Sequence, residues 1–332
     1  MTQAGQDSPV GAPTEPRRRR SRLRLSWPLR ALRENPVLRK ELRGRMRGRR
    51  AFVVLSVYLV LLSCLTTVLY FSYTTIAQQP YGPDTYLVGK IVFGGMVGVQ
   101  LLMVVFLTPA FTAGAITGER ERQTYDLLRT TLLSARSLVT GKLSSALTYM
   151  VLLILAAVPL ESLAFLLGGV ELEEVIISQL FLLVTALSLA AVSMAISSWS
   201  KSTLTATVLS YGYALLSTAG LPLLFLMLTP FLGLAGFTLG GAQEPAAWLV
   251  VSLVYLGGLV LATNPFSSLI LSEVVLIQEQ TLLFFELPLS QTSARYPDLW
   301  LISPWVIYLL FYLLVAWVAF AMCVRRVRRV ER

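Results

Sequence analysis

An all-α polytopic membrane protein is the fold class this sequence predicts, with six transmembrane helices, an N-terminal interfacial helix, and re-entrant helices between spans five and six. Three observations predict it. Of 332 residues, 55% are hydrophobic and 14% are charged, against about a quarter charged in an ordinary soluble domain. The apolar residues fall in blocks of about 20, enough at roughly 1.5 Å per residue to cross a hydrocarbon layer of about 30 Å. Within these blocks, as at residues 53–62, apolar and polar positions do not alternate, which argues against the strands of a membrane barrel.

Residues 1–32 form a basic tail that is expected to be disordered. Its first half is rich in Gly, Pro, Gln, Ser and Thr and has too little apolar surface to offset the entropy of ordering. Residues 17–50 then carry more than half of the 28 Lys and Arg residues. No apolar stretch or small-residue cleavage site interrupts them, so a cleaved export signal is not expected.

The transmembrane domain is expected over residues 51–332. Spans are read at 51–73, 91–116, 143–167, 175–198, 204–228 and 305–324. The polar turn at 78–84 joins the first two, a polar connector at 117–142 joins the second and third, and the short acidic link 168–174 leads into the fourth. From 229 to 303, Pro230, Pro245, Pro265 and Pro288 break the apolar pattern. There, 246–262 is at the lower limit for a span and 266–277 is too short to cross alone. Asn264-Pro265 makes a turn between these pieces, which either dip in and return as re-entrant helices or cross twice to give eight spans.

Lys and Arg are retained on the cytoplasmic side of a bacterial inner membrane. With six crossings, all of them except Lys90 and Arg295 fall on one side, which predicts that both termini are cytoplasmic.

Residues 33–50 read as an interfacial elbow helix. Asn35 suits an N-cap and Pro36 the first helical position. Leu38, Leu42 and Met46 recur every fourth residue as one apolar stripe, with Arg39, Lys40, Arg43, Arg45 and Arg47 over the remainder. Such a helix lies in the membrane surface with its basic side on anionic lipids. The other reading is that the arginines serve only as a topology signal. Nucleic acid is not expected as a partner, because an apolar span follows directly.

The connector reads Gly118-Glu119-Arg120-Glu121-Arg122-Gln123-Thr124-Tyr125-Asp126-Leu127-Leu128-Arg129. Its acids come early and Arg129 late, complementing a helix dipole, and Tyr125, Leu128 and Leu132 share one face. A short amphipathic helix with nothing of its own chain to bury against points to a partner; the alternative is a solvated loop lying on the bilayer.

Here the sequence resembles a family. Asn35-Pro36-Val37-Leu38-Arg39-Lys40-Glu41-Leu42-Arg43 looks like the elbow helix of ABC-2 type exporter permeases, the membrane subunits of the type V ABC transporter fold. The stretch Gly118 to Leu128, ending near Gly141-Lys142-Leu143, is similar to the segment in which those permeases carry a coupling helix. Gly168-Gly169-Val170 and the last apolar span with its basic end fit as well. The resemblance covers residues 33–330, and Leu132 stands where family members often have proline.

The resemblance implies a permease subunit of an ATP-driven exporter, paired with a second permease subunit, identical or not, and with cytosolic ABC ATP-binding subunits. Glu119, Arg120, Glu121, Arg122, Tyr125, Asp126 and Leu128 would contact the ATPase. The sequence has no G-x-x-x-x-G-K-[ST] phosphate loop, so ATP is expected to be bound by the partner and no cofactor by this chain.

Ionisable residues within spans are functional candidates because they cost about 2.5–3.5 kcal/mol at the bilayer centre on insertion scales. Glu161, two residues beyond Pro159, either lines the translocation path or pairs with a neighbouring span. Glu273 and Glu279 flank the re-entrant region, with Glu273 a candidate for the path. Histidine is absent, and Cys64 and Cys323 are the only thiols, so no His/Cys metal cluster is expected. An ATPase-independent channel or ion-coupled carrier would want several buried charges and inverted repeats. A membrane-embedded enzyme would want a catalytic constellation that the sequence does not offer.

Overall fold

Uninterrupted apolar runs become long helices, because only intra-segment hydrogen bonds satisfy a backbone placed in hydrocarbon. The computed structural model describes residues 49–77, 85–123, 134–220, 223, 227, 247–279, 281–288, 290 and 297–330. The tail at 1–32, the elbow helix with Asn35, Pro36, Leu38, Lys40, Leu42, Arg43 and Met46, the turn at 78–84 and most of 221–246 lie outside the described residues.

The helices are α1 (Arg49–Ala77), α2 (Thr85–Thr112), the five-residue α3 (Thr117–Glu121), α4 (Ala135–Leu167), α5 (Leu172–Trp199) and α6 (Thr203–Leu215). A π-helical turn, Leu216–Gly220, continues α6. Then come α7 (Ala247–Ala262), α8 (Pro265–Glu279), strands β1 (Phe284–Leu287) and β2 (Leu299–Ile302), and α9 (Pro304–Val330). Among the described residues, five helical segments are long and apolar enough to cross a membrane. The pair Val250–Ala262 and Pro265–Ile277, bent by 113°, raises the number to six if it counts as one span. The protein is thus an all-α polytopic membrane protein by architecture, with a two-stranded hairpin added.

Local chemistry sets the helix starts. The Ser134 hydroxyl accepts from the Ser137 amide at the head of α4, and the Ser202 hydroxyl accepts from the Thr205 amide at the head of α6. Glu171 and Glu174 form a capping box at α5, which satisfies backbone donors that the first turn leaves open. Helix α4 starts eight residues before the expected span at 143, so Arg136 and Lys142 are helical.

Asn264 and Pro265 do turn the chain. The Asn264 Oδ1 accepts from the amides of Phe266 and Ser267, both at 3.1 Å, capping α8. Its Nδ2 donates to the carbonyls of Ser217 and Thr218 at 2.9 and 2.8 Å. The second pair of bonds ties the bend to the π-helical turn after α6.

The antiparallel hairpin pairs Phe284 with Ile302 and Leu287 with Leu299. Four residues per strand leave too few positions for an alternation to be legible in sequence. The Trp305 Nε1 donates to the Leu282 carbonyl and the Ser303 amide to that of Leu283, so the hairpin is stitched to the start of α9.

The core centres on α5 and α9. Phe181 stacks on Tyr308 with ring centroids 3.8 Å apart, and the Tyr308 hydroxyl is 2.8 Å from that of Thr185. Ala186, Ala190, Ala191, Met194, Ala195 and Ser197 are buried along α5, small enough on the whole for neighbouring backbones to come close, which is how membrane helices gain packing energy without a hydrophobic drive. Both cysteines are free, Cys64 exposed and Cys323 buried.

Helices α2 and α4 meet at glycines. Gly168 ends α4 with φ 87°, a conformation open to glycine, and its carbonyl faces Gly89 so closely that a Cβ there would run into it. Gly89→Val is therefore expected to destabilise the protein by about 1–3 kcal/mol, read as a lower apparent Tm of the purified protein. Gly98→Ala in the same helix, where a Cβ meets nothing within 4 Å, leaves the Tm unchanged.

Candidate functional site

The connector is where the chain leaves the bundle, and its first half is anchored on all sides. After α2 the backbone turns through residues 113–116 and enters α3, whose own N-cap position, Ile116, offers no side-chain cap. The cap comes from α5 instead: the Ser197 hydroxyl accepts from the amides of Ile116 and Thr117, both at 3.2 Å. A buried hydroxyl from a neighbouring helix thus takes up donors that α3 leaves open.

The four described coupling candidates divide by direction. Glu119 pairs with Lys142 of α4 at 2.7 Å, and the Lys142 side chain is only 4% exposed. Arg120 donates to the Ser200 carbonyl at 3.4 Å. Glu121 accepts from both the amide and the hydroxyl of Thr203, at 2.6 and 2.7 Å, and so caps α6 from outside. Arg122 is exposed. The helix ends there, with Gln123 in the left-handed region at φ 57°. Tyr125, Asp126, Leu128 and Leu132 lie outside the described residues.

Glu119, Arg120 and Glu121 therefore spend their side chains on the protein itself, holding α3 to α4 and to the α5–α6 junction. Among their partners, Lys142 lies in the Gly141-Lys142-Leu143 stretch that closes the connector, whereas nothing in the sequence marks Ser197, Ser200 and Thr203 as partners of this segment. The signal for these three is the cluster of hydroxyl residues between Ser197 and Thr203, which are cap-forming side chains.

At the other end of the bundle, two groups of buried ionisable residues stand apart. Glu161 of α4 is 1% exposed. Its carboxylate accepts from the Gln100 Nε2 of α2 and from the Gln179 Nε2 of α5, the latter reaching both oxygens at 2.9 and 2.7 Å. These bonds join three helices through one carboxylate. The Ser162 hydroxyl, which donates to the Pro159 carbonyl, serves the backbone near the proline.

The second group is the ion pair Lys90–Glu174, 2.6 Å long with both side chains 3% exposed. The Glu174 Oε2 also accepts from the Glu171 amide in the capping box. Glu273 of α8 lies beside this pair on the wall of a cavity of about 250 Å³. Its Oε1 is enclosed and has no hydrogen-bond partner. The structure does not bring Glu161 and Glu273 to one site: Glu161 bridges α2, α4 and α5, whereas Glu273 faces the Lys90–Glu174 pair. Nothing is described of the Glu279 side chain. Among the described residues, no group of three or more His, Cys, Asp or Glu could hold a metal ion.

Residues 35–326 match the family described as ABC-2 family transporter protein. The chain belongs to that family. No curated protein matches the chain significantly. As an ABC-2 family transporter protein it is a multi-pass membrane transport component, of a kind typically without its own ATPase site, and its family membership implies pairing with an ABC ATP-binding subunit. The match begins at Asn35 and so takes in the elbow segment as well as the connector and the last span.

In the ABC-2 protein, Glu161→Leu leaves two buried amides without their acceptor, and a loss of about 3 kcal/mol is expected, seen as a lower unfolding temperature. Glu161→Gln keeps the shape and an acceptor oxygen and lowers the temperature less. Equal temperatures for Glu161→Leu and the parent protein would show that the three-helix bridge contributes nothing to stability.

Proposed function

We propose that this chain is the permease subunit of an ATP-driven ABC exporter, that it forms the translocation path with a second permease subunit, and that it takes its driving force from a separate cytosolic ATP-binding subunit docked on the connector. The observation that carries this reading is the way α3 is held. A five-residue helix bonded to α4 through Glu119–Lys142 and to α6 through Glu121–Thr203 cannot be displaced without displacing helices of the bundle. A docked motor would push on a lever already fastened to what must move.

Within this reading, Glu119, Arg120 and Glu121 fasten the lever, whereas Arg122, Tyr125, Asp126 and Leu128 meet the ATPase. ATP is bound by the partner. Both termini and the connector face the cytoplasm of a bacterial inner membrane, as the distribution of Lys and Arg supports. The elbow helix at 33–50 rests on anionic lipids. Helices α7 and α8 enter from the outer side and return, and the 113° bend at Asn264 supports this path. An ion-coupled carrier or channel would use Glu161 as its buried acid, but both Glu161 oxygens are already engaged by protein amides.

Two measurements test the proposal. Copurification with an ABC ATP-binding protein, followed by ATPase assay in proteoliposomes, is expected to show hydrolysis stimulated by the permease. Asp126→Ala with Leu128→Ala lowers that stimulation by about 5- to 100-fold, the range of an ordinary coupling energy, while the permease stays folded. In a Cys64→Ser background, Arg122→Cys is labelled by an impermeant thiol reagent in inverted vesicles and not in right-side-out ones. Labelling from the outer face would overturn the orientation and the docking together.

A further inference from the structure

Helices α2, α5 and α8, distant in sequence, converge on the cavity of about 250 Å³ beside Lys90. Most of its wall is aliphatic or aromatic, with Phe93 and Phe181 among the lining residues. Into this apolar space the protein places three ionisable side chains, Lys90, Glu174 and Glu273. Lys90 is bonded to Glu174, and both Glu174 oxygens are engaged, one by Lys90 and one by the Glu171 amide. Glu273 lines the same cavity as Lys90 and Glu174, and its Oε1 is enclosed without a donor. Two carboxylates therefore face one ammonium among the described residues.

An enclosed carboxylate oxygen without a donor is costly in an apolar setting, and an opposite charge relieves the cost. A hydrated metal ion would find few further side-chain oxygen ligands here, since Ser178 and Ser272 are the other oxygen-bearing side chains among the described lining residues. A ligand that carries one positive charge on an apolar body would satisfy the carboxylate and fill the walls together. Aromatic walls favour such a cation further. We propose that this cavity is a binding site for a small lipophilic organic cation of single charge, with Glu273 as its counter-ion and the Lys90–Glu174 pair holding the adjoining wall. That the bound cation is cargo rests on the exporter reading; the binding itself does not.

The test uses the purified full-length chain in lipid nanodiscs with radiolabelled benzyltrimethylammonium, a permanent cation, and no ATPase present, so failure here leaves the exporter reading untouched. Saturable binding is expected, weakened at least about tenfold by Glu273→Gln, retained by Glu273→Asp to within a few-fold, and unchanged by Cys64→Ser outside the cavity. Neopentylbenzene, its neutral carbon analogue, is expected not to compete. Absence of saturable binding, equal binding by Glu273→Gln, or equal competition by the neutral analogue would each overturn the proposal. The competition experiment on the parent protein decides the matter even if Glu273→Gln fails to fold.

Discussion

In hydrocarbon no water is at hand, so a polar group that this chain carries into the bilayer is costly unless another group answers it. Much of the architecture follows from that single demand. Thr66 and Thr67 of α1 turn their hydroxyls back to the carbonyls of Leu62 and Ser63. The carbonyls of Ser217 and Thr218, at the π-helical turn, receive the Asn264 amide. The Glu161 carboxylate takes two glutamine amides, and Lys90 takes Glu174. Each of these bonds outside α1 also crosses between elements, so the groups that would be most costly alone become the ones that fix how the helices sit.

The same logic explains why the connector is not a loose loop. Where α2 ends, the amides of Ile116 and Thr117 still need acceptors, and Ser197 of α5 supplies one. Glu121 returns the favour at the head of α6. A helix of five residues is far below the length at which helices hold in water by themselves, so α3 exists because its neighbours cap it and it caps them. Family membership gives this segment its interest; the bonding gives it its stiffness.

The long helices were legible in the sequence because a span of about 20 apolar residues has few other fates. The expected spans at 51–73, 91–116 and 175–198 lie within or close to α1, α2 and α5. The turn at Asn264-Pro265 was legible too, since a capping side chain followed by proline has a defined local meaning. What escaped depends on partners far along the chain. Nothing near Glu121 announces Thr203, and nothing near Glu161 announces Gln100 and Gln179, which lie on separate helices. Glu273 could be flagged as an acid in an apolar run, but its position beside Lys90 and Glu174 is decided by how α8 packs on α2 and α5. The hairpin of β1 and β2 escaped because four residues per strand hold only two repeats of the strand period.

The bonds of Asn264 have an implication that spans the whole molecule. Its amide is moored to the π-helical end of α6, and its carbonyl oxygen to the first turn of α8, while the far tip of α6 is gripped by Glu121. The protein thus contains a series linkage of bonded joints: the short helix α3, then α6 with its π-helical turn, then the helix bearing Glu273. Through these joints α6 has both ends tied to other elements, one to the segment that follows α2 and one to the helix that carries Glu273, so a tilt of α6 would load both attachments together.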